Sequence, residues 1–130
     1  MPIALDPKAT FDYVLMDDRS LPQEEQTVFQ LRGLTVAEEA RVADSMISSV
    51  PGQDELSIRS GTHQLTVLRF GLRGWSNFKD SSGSDIHFSV EQRHPRHVTD
   101  EALDRLAPKH RQELVNAIME RGEVKQSEGE

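Results

Sequence analysis

The sequence contains no cysteine and few aromatic residues. Without cysteine, neither a disulfide framework nor a thiolate metal site can form, and redox chemistry says nothing about the compartment. Aromatic residues make up 5% and hydrophobic residues 35% of the 130 residues. One domain is expected at this length, with a small, mainly aliphatic core. A small core suggests support from partners or from further copies.

Long apolar runs and an excess of basic residues are also missing. No run approaches the roughly 20 residues that cross a bilayer, and the opening MPIALDPKAT lacks the basic start and continuous apolar stretch of a secretory signal. The formal net charge of −7 argues against general binding to DNA or RNA, which rewards lysine and arginine. We expect a soluble protein with no membrane or nucleic-acid partner.

Motifs for catalysis or cofactor binding are not found. The sequence has no H-E-x-x-H, no G-x-S-x-G and no phosphate-binding loop. The spacing of the five histidines, with His94 and His97 on either side of Pro95, does not match a metal-ligand pattern. We therefore predict no catalytic residue, no metal and no cofactor. A small metal-dependent hydrolase that uses the histidines remains an alternative.

Strands are predicted where apolar residues alternate. FDYVLM at 11–16 and TVFQLR at 27–32 show this period of two and predict an adjacent antiparallel pair. IHFSV at 86–90 predicts a third strand, and ELSIRS at 55–60 leaves room for a short additional one.

Two helices are predicted before residue 76. Thr35 and Glu38 have capping-box spacing, and the helix that they begin is expected to bury Val36, Ala40, Ala43 and Ile47. The run at 61–75 has apolar residues at helical spacing, and Gly74 would end that helix. The residues on its buried stripe are Leu65, Leu68, Leu72 and Trp75.

Two further helices are predicted near the end of the chain. Thr99 is a helix cap, with Val98 placed to pack on Leu103, and Pro108 begins the last helix. That helix should bury Leu114, Val115, Ile118 and Met119 and stop at Gly122.

These elements define the expected fold and domain. We predict one α+β domain over residues 1–121, with a small antiparallel sheet of about three strands packed with about four helices. Residues 122–130 should form a flexible acidic tail, since they carry almost no apolar side chains.

One segment differs in charge from the rest of the chain. No acidic residue occurs at 59–79, which contains Arg59, Arg69, Arg73, Lys79 and the only tryptophan, Trp75. Arginine and tryptophan are frequent anchors of protein interfaces. We predict a protein-docking site formed by Arg69, Leu72, Arg73, Trp75 and Phe78. Alternatively, Trp75 and Phe78 close the domain's own core, and the arginines lie on its rim.

The order of several segments resembles that of a known class of proteins. These segments are FDYVLMDD, QTVFQLRGLTVAEEA, GLRGWSNFKDSSGSDIHF and LDRLAPKHRQELVNAIMER. The chain resembles small morphogenesis proteins of tailed bacteriophages, of the tail assembly chaperone or minor tail protein type, from about Phe11 to Arg121. In those proteins a G-W-x-N-F-x-D-x-x-G-like corner precedes a short strand, and an R-x-E-L-x-x-x-I helix lies near the end.

The resemblance implies a non-enzymatic role in building the virion. The protein would be made in the host cytoplasm and would contact other tail proteins (tape measure, tube or baseplate) and copies of itself. It would act either as a transient chaperone or as a structural component of the tail or baseplate. A phage-encoded regulator or inhibitor of a host protein is the alternative function.

Overall fold

Three strands and four α-helices form a small α+β fold in a computed structural model that describes residues 9–47, 55–93 and 96–128. The strands are β1 (Thr10–Val14), β2 (Val28–Arg32) and β3 (Leu72–Ser76). The helices are α1 (Val36–Ile47), α2 (Glu55–Gly71), α3 (Asp100–Leu103) and α4 (Pro108–Glu128). Two short 3-10 helices, Met16–Asp18 and Gln23–Glu25, lie between β1 and β2. The predicted fold class is confirmed.

The antiparallel sheet has the order β1-β2-β3 and buries one of its two faces. Residues directly opposite each other in an antiparallel pair point to the same face. The inner face therefore carries two cross-strand rows, Tyr13–Phe29–Trp75 and Phe11–Leu31–Leu72. Phe29, Leu31 and Leu72 are completely buried there. The first two strands are as predicted, to within two residues at their ends.

The third strand is not where the sequence predicts it. β3 occupies residues 72–76, whereas residues 86–90 contain no strand and contribute one isolated bridge, between Val90 and Val98. The apolar residues from Leu65 to Trp75 have helical spacing, but pairing with β2 requires an extended chain from Leu72 onward. Tertiary pairing thus overrides the local helical pattern.

Helix α2 continues directly into β3, and a glycine makes this junction possible. A Cβ atom on Gly71 would lie 2.6 Å from Cδ1 of Ile118 and 2.9 Å from the carbonyl oxygen of Arg32. The junction is therefore wedged between α4 and β2. The short strand considered at 55–60 is wrong, because α2 already begins at Glu55. The predicted helix stop at Gly74 is also wrong, because Gly74 lies within β3.

The capping box that begins α1 is confirmed, but the predicted buried stripe is wrong. The amide of Glu38 donates to Thr35 Oγ1 (3.2 Å), and the amide of Thr35 donates to Glu38 Oε1 (3.0 Å). Val36 is 85% exposed, whereas Val42 is buried. Glu38 and Val42 are four residues apart and share the inner face, so Val36 points the other way. Ala40 and Ala43 are exposed too, and the side chain of Ile47 lies outside the described residues.

An ion pair fixes the first turn of α1 to the sheet. Arg32 Nη1 and Nη2 donate to Glu38 Oε1 and Oε2 at 3.0 and 2.9 Å, and Nη2 also donates to the carbonyl of Phe70. Burial favours the neutral form of Glu38, but the hydrogen bonds from Arg32 and Thr35 outweigh it and hold the pKa of Glu38 below its ordinary value. The carboxylate thus joins β2, α1 and the end of α2.

Glu38→Gln is expected to lower the free energy of unfolding by about 1–2 kcal/mol at neutral pH, because a charged hydrogen-bonding partner is lost. Since the folded state lowers this pKa, the stabilisation exists above the ordinary carboxyl pKa and is lost as pH falls through the lowered value. Urea unfolding of the variant and wild type over acidic and neutral pH measures both effects. Glu39→Gln, at an exposed neighbouring position, is the matched control. Equal losses for the two variants would contradict this role.

The predicted cap of α3 and the predicted first residue of α4 are both confirmed. The amide of Ala102 donates to Thr99 Oγ1 (3.2 Å) at the start of α3, and Val98 and Leu103 are both buried in the core. Pro108 begins α4.

The inner face of α4 largely follows the prediction, but its end does not. Leu114, Val115 and Ile118 are buried, whereas Met119 is 39% exposed, so its predicted burial is wrong. α4 also continues past Gly122 to Glu128, because an interior glycine costs a helix only about 1 kcal/mol and need not end it. The flexibility of residues 122–130 stays a prediction. None of the described helices is long and apolar enough to cross a membrane.

A single carboxylate oxygen holds β1 against α4. Glu113 Oε2 accepts hydrogen bonds from the Tyr13 hydroxyl at 2.7 Å and from the Met16 amide at 2.9 Å. Burial, the hydrogen bond to Glu113 and the negative charge of that residue raise the pKa of Tyr13 to about 12. Deprotonation of Tyr13 would therefore place two negative charges beside each other.

Tyr13 should titrate near pH 12 in the folded protein, and Glu113→Gln should move this pKa back toward the ordinary value of about 10. Because folding raises the pKa, the stabilisation is complete below the ordinary pKa and is lost as pH rises through the folded value. Tyr13 is the only tyrosine, so absorbance near 295 nm reports this group alone. An unchanged titration in Glu113→Gln would contradict the proposed coupling.

Candidate protein-docking site

The five residues of the predicted docking site follow one another from α2 into the loop beyond β3. Arg69 lies in the last turn of α2, and Leu72, Arg73 and Trp75 lie in β3. Phe78 comes two residues after the end of β3. We call residues 69–78 the docking corner. Here the helix passes to the strand without a loop.

Trp75 is the centre of an aromatic cluster. Its ring makes edge-to-face contacts with Phe29, Phe78 and Phe88, with ring centroids 6.2, 4.9 and 4.9 Å away. Its Nε1 donates a 2.7 Å hydrogen bond to the carbonyl of Ile86. Trp75 and Phe78 are partly buried and pack against the domain's core. These contacts make the Trp75 ring a rigid support, with part of its surface exposed.

Leu72 does not reach the surface. Its side chain is completely buried beside Leu31 on the inner face of the sheet. A partner cannot touch it, so its place among the predicted partner-binding residues is wrong. Leu72 is buried because the chain forms a strand from this residue onward, and pairing with β2 directs its side chain toward the core.

Arg69 is partly exposed and pairs within the domain. Its Nη2 lies 3.0 Å from Asp100 Oδ1, which connects α2 to the first residue of α3. Exposed pairs of this kind contribute about 0–1 kcal/mol. The pair compensates the charge of Arg69 but leaves the guanidinium accessible.

Arg73 occupies a β-bulge. The register passes from Gln30 opposite Gly74 to Leu31 opposite Leu72, so Arg73 has no opposite residue in β2. Bulges often redirect a side chain at the edge of a sheet, and β3 is an edge strand. The Arg73 side chain is half-buried and forms neither a hydrogen bond nor an ion pair with any residue in the described ranges.

His97 connects Arg73 to residues from distant parts of the chain. Phe70 packs edge-to-face on His97, with ring centroids 5.2 Å apart, and Arg32 donates to the carbonyl of the same Phe70. Burial lowers the pKa of His97, and the positive charge of Arg73 is the next largest cause. The negative charge of Glu38 opposes this shift, and Arg32 and Arg69 add smaller lowering effects. We call Arg32, Arg69, Arg73 and His97 the Arg73 cluster.

The sequence interpretation missed two members of this cluster. Arg32 lies in β2, and His97 follows the predicted third strand, so neither is near Arg73 in the sequence. The sequence shows that residues 59–79 are basic. It does not show that Arg32 and His97 belong with this segment, because that depends on the sheet register and on the contact between Phe70 and His97.

The far end of the docking corner is held by an asparagine. Asn77 has a φ of 58°, a left-handed conformation that asparagine tolerates better than most residues. Its Nδ2 donates to the carbonyls of Glu24 and Gln26 at 3.0 and 3.1 Å. The chain beyond β3 is thus tied to the connection between β1 and β2, which keeps Phe78 in place against Trp75.

Metal-ligand geometry is not found in the part of the chain that the structure describes. No three histidine, cysteine, aspartate or glutamate residues there are grouped so that they could hold an ion. His94, considered as a ligand from the sequence, lies outside the described residues. His97 is instead packed on Phe70.

No protein-family model, curated protein or solved structure matches this chain. The fold is therefore known from the arrangement described above alone.

Proposed function

We propose that this chain is a non-enzymatic morphogenesis protein of a tailed bacteriophage and acts through protein–protein contacts in tail assembly. The observation that carries the proposal is Arg73, an arginine without a partner among the described residues, held in a bulge of an edge strand beside a rigid aromatic cluster. Loops and edges fixed by a rigid scaffold are common binding surfaces. The resemblance of the sequence supplies the phage context.

The geometry changes which residues we expect to touch a partner. Arg73, Arg69 and the exposed part of Trp75 form the contact, and the buried Leu72 supports it from within. The aromatic contacts of Trp75 hold β3 in position, so less side-chain freedom is lost when a partner binds.

The expected partners are other tail proteins, such as the tape measure, tube or baseplate proteins, and copies of the same chain. Contact would begin in the host cytoplasm during assembly. A transient chaperone and a permanent tail component both fit a surface of this kind, and they differ in whether the chain is retained in the finished particle.

The proposal is tested in the phage that encodes the chain by complementing a deletion with Arg73→Glu. We expect fewer infectious particles, because reversing the charge at the contact repels the partner. Arg105→Glu, at an exposed arginine outside the docking corner, is the control with the same charge change. Unfolding curves of both purified variants establish that each is folded.

Mass spectrometry of purified particles and of assembly intermediates distinguishes the two forms of the proposal. Detection in finished tails indicates a structural component, and detection only in intermediates indicates a chaperone. Absence from both, together with normal particle yield after deletion of the gene, would overturn the proposed function.

A further inference from the structure

We infer that the Arg73 cluster binds a carboxylate of an acidic peptide segment on the partner protein. The inference rests on the proposed function for the existence of a partner and adds the chemistry by which the partner is recognised. It depends on the charge balance of the cluster, on the geometry of Arg73 and on the size of ligand that one unpaired arginine can hold.

The charge balance of the cluster favours an anion. Residues 59–79 contain four of the 15 lysines and arginines and none of the 22 acidic residues. Two arginines of the cluster are already compensated, Arg32 by Glu38 and Arg69 by Asp100. The charge of Arg73 is left over, so the cluster carries about one unit of positive charge on an otherwise acidic protein.

The geometry favours a carboxylate. A guanidinium presents parallel N–H donors that match the two oxygens of a carboxylate, and such pairs are stronger than neutral hydrogen bonds. Half-burial and the bulge limit the positions of the Arg73 side chain, so less conformational freedom is lost on binding.

A peptide fits this surface better than a nucleic acid or a free small carboxylate. Nucleic acids require several neutralised phosphates, whereas a single uncompensated charge is available here. A free small carboxylate would contact Arg73 alone, and one such pair is too weak to offset the freedom that the ligand loses on binding. A peptide adds contacts along the exposed part of Trp75 and around Arg69, and these additional contacts make binding measurable.

Fluorescence anisotropy of a labelled hexaglutamate peptide with the purified full chain tests the inference. Wild-type protein is expected to bind hexaglutamate, to bind hexaglutamine much more weakly, and to lose affinity as salt is raised. Arg73→Gln should weaken hexaglutamate binding by roughly tenfold or more, the loss expected for a charged hydrogen-bonded pair. Arg105→Gln removes the same charge at an exposed position outside the cluster and should change binding less than about twofold.

The variant Arg73→Lys separates the charge of Arg73 from its shape, and competing anions test which class of ligand the cluster prefers. Arg73→Lys keeps the charge but loses the planar fork, so we expect an intermediate affinity, and this variant replaces Arg73→Gln if the latter does not fold. Inorganic phosphate and duplex DNA are tested as competitors and should displace the peptide poorly. Equal binding by the Arg73 and Arg105 variants, no wild-type binding at millimolar peptide, or efficient displacement by phosphate or DNA would each overturn the inference.

This experiment is independent of the phage experiment. Peptide binding is measured on the isolated chain. If hexaglutamate does not bind, a particle defect caused by Arg73→Glu would still support the phage function, and only recognition of an acidic segment would be excluded. Conversely, peptide binding by a chain that is absent from particles and intermediates, with normal particle yield after deletion of its gene, would remove the phage function and leave the anion site.

Discussion

Trp75→Ala is expected to lower the free energy of unfolding by about 3–5 kcal/mol, the usual cost of truncating a large aromatic side chain in a packed site. The substitution removes three edge-to-face contacts and the hydrogen bond to Ile86. It also leaves the carbonyl of Ile86 without this donor. Urea unfolding followed by far-UV circular dichroism measures the loss, since the variant lacks the only tryptophan.

Trp75→Phe is the control that separates packing from hydrogen bonding. Phenylalanine retains an aromatic ring against Phe78 and Phe88 but cannot donate to Ile86, so a smaller loss, of about 1–2 kcal/mol, is expected. If Trp75→Ala cost less than about 1 kcal/mol, the ring would behave as an open surface group. The aromatic cluster would then not be the rigid support described here.

Gly71→Ala should be the second most damaging change, at about 1–3 kcal/mol, because overpacking forces the surrounding structure to move. An alanine Cβ would lie 2.6 Å from Ile118 Cδ1 and 2.9 Å from the Arg32 carbonyl oxygen. The side chain of Ile118 is buried, and the backbone oxygen belongs to β2, so neither can move freely. Chemical denaturation of wild type and variant gives the difference.

Gly74→Ala, three residues further along the chain in β3, is the matched control. Its Cβ would meet the side-chain oxygen of Gln30 at 2.5 Å, but Gln30 is exposed and its flexible end can turn aside. We therefore expect little change in stability, or a small gain from reduced freedom of the unfolded chain. A loss for Gly74→Ala as large as that for Gly71→Ala would show that the close contact at Gly71 is not the cause.

These two results bear on how the docking corner works. If the contacts at Trp75 and Gly71 hold β3 in place, Arg73 is presented on a rigid element. Substitutions at Trp75 or Leu72 would then reduce binding by unfolding the domain, which makes them unsuitable for testing a contact. Charge changes at Arg73 and Arg105 avoid this problem, since neither residue is part of the core.

Local patterns in the sequence correctly predicted where α1, α3 and α4 begin. The Thr35–Glu38 box, the Thr99 cap and Pro108 depend on residues within one helical turn, and each lies where expected. The first two strands were also predicted, because their alternation is not shared with any competing helical pattern.

The sequence was misleading where two periodicities overlapped or where burial depended on a distant segment. Leu72 and Trp75 continue a helical spacing and yet form a strand, because Phe29 and Leu31 lie opposite them. Val36 seemed to belong to a buried stripe, but the ion pair between Arg32 and Glu38 turns that side of α1 outward.

The sequence by itself determined the α+β class, the starts of α1, α3 and α4, and the basic segment around Trp75, because these follow from neighbouring residues. The tertiary structure decided that Leu72 is buried in the core, that Trp75 supports the docking corner and that the charges of Arg73 and Arg32 both act on His97. Those properties depend on strand register and on contacts between segments far apart in the chain, which no local pattern of residues specifies.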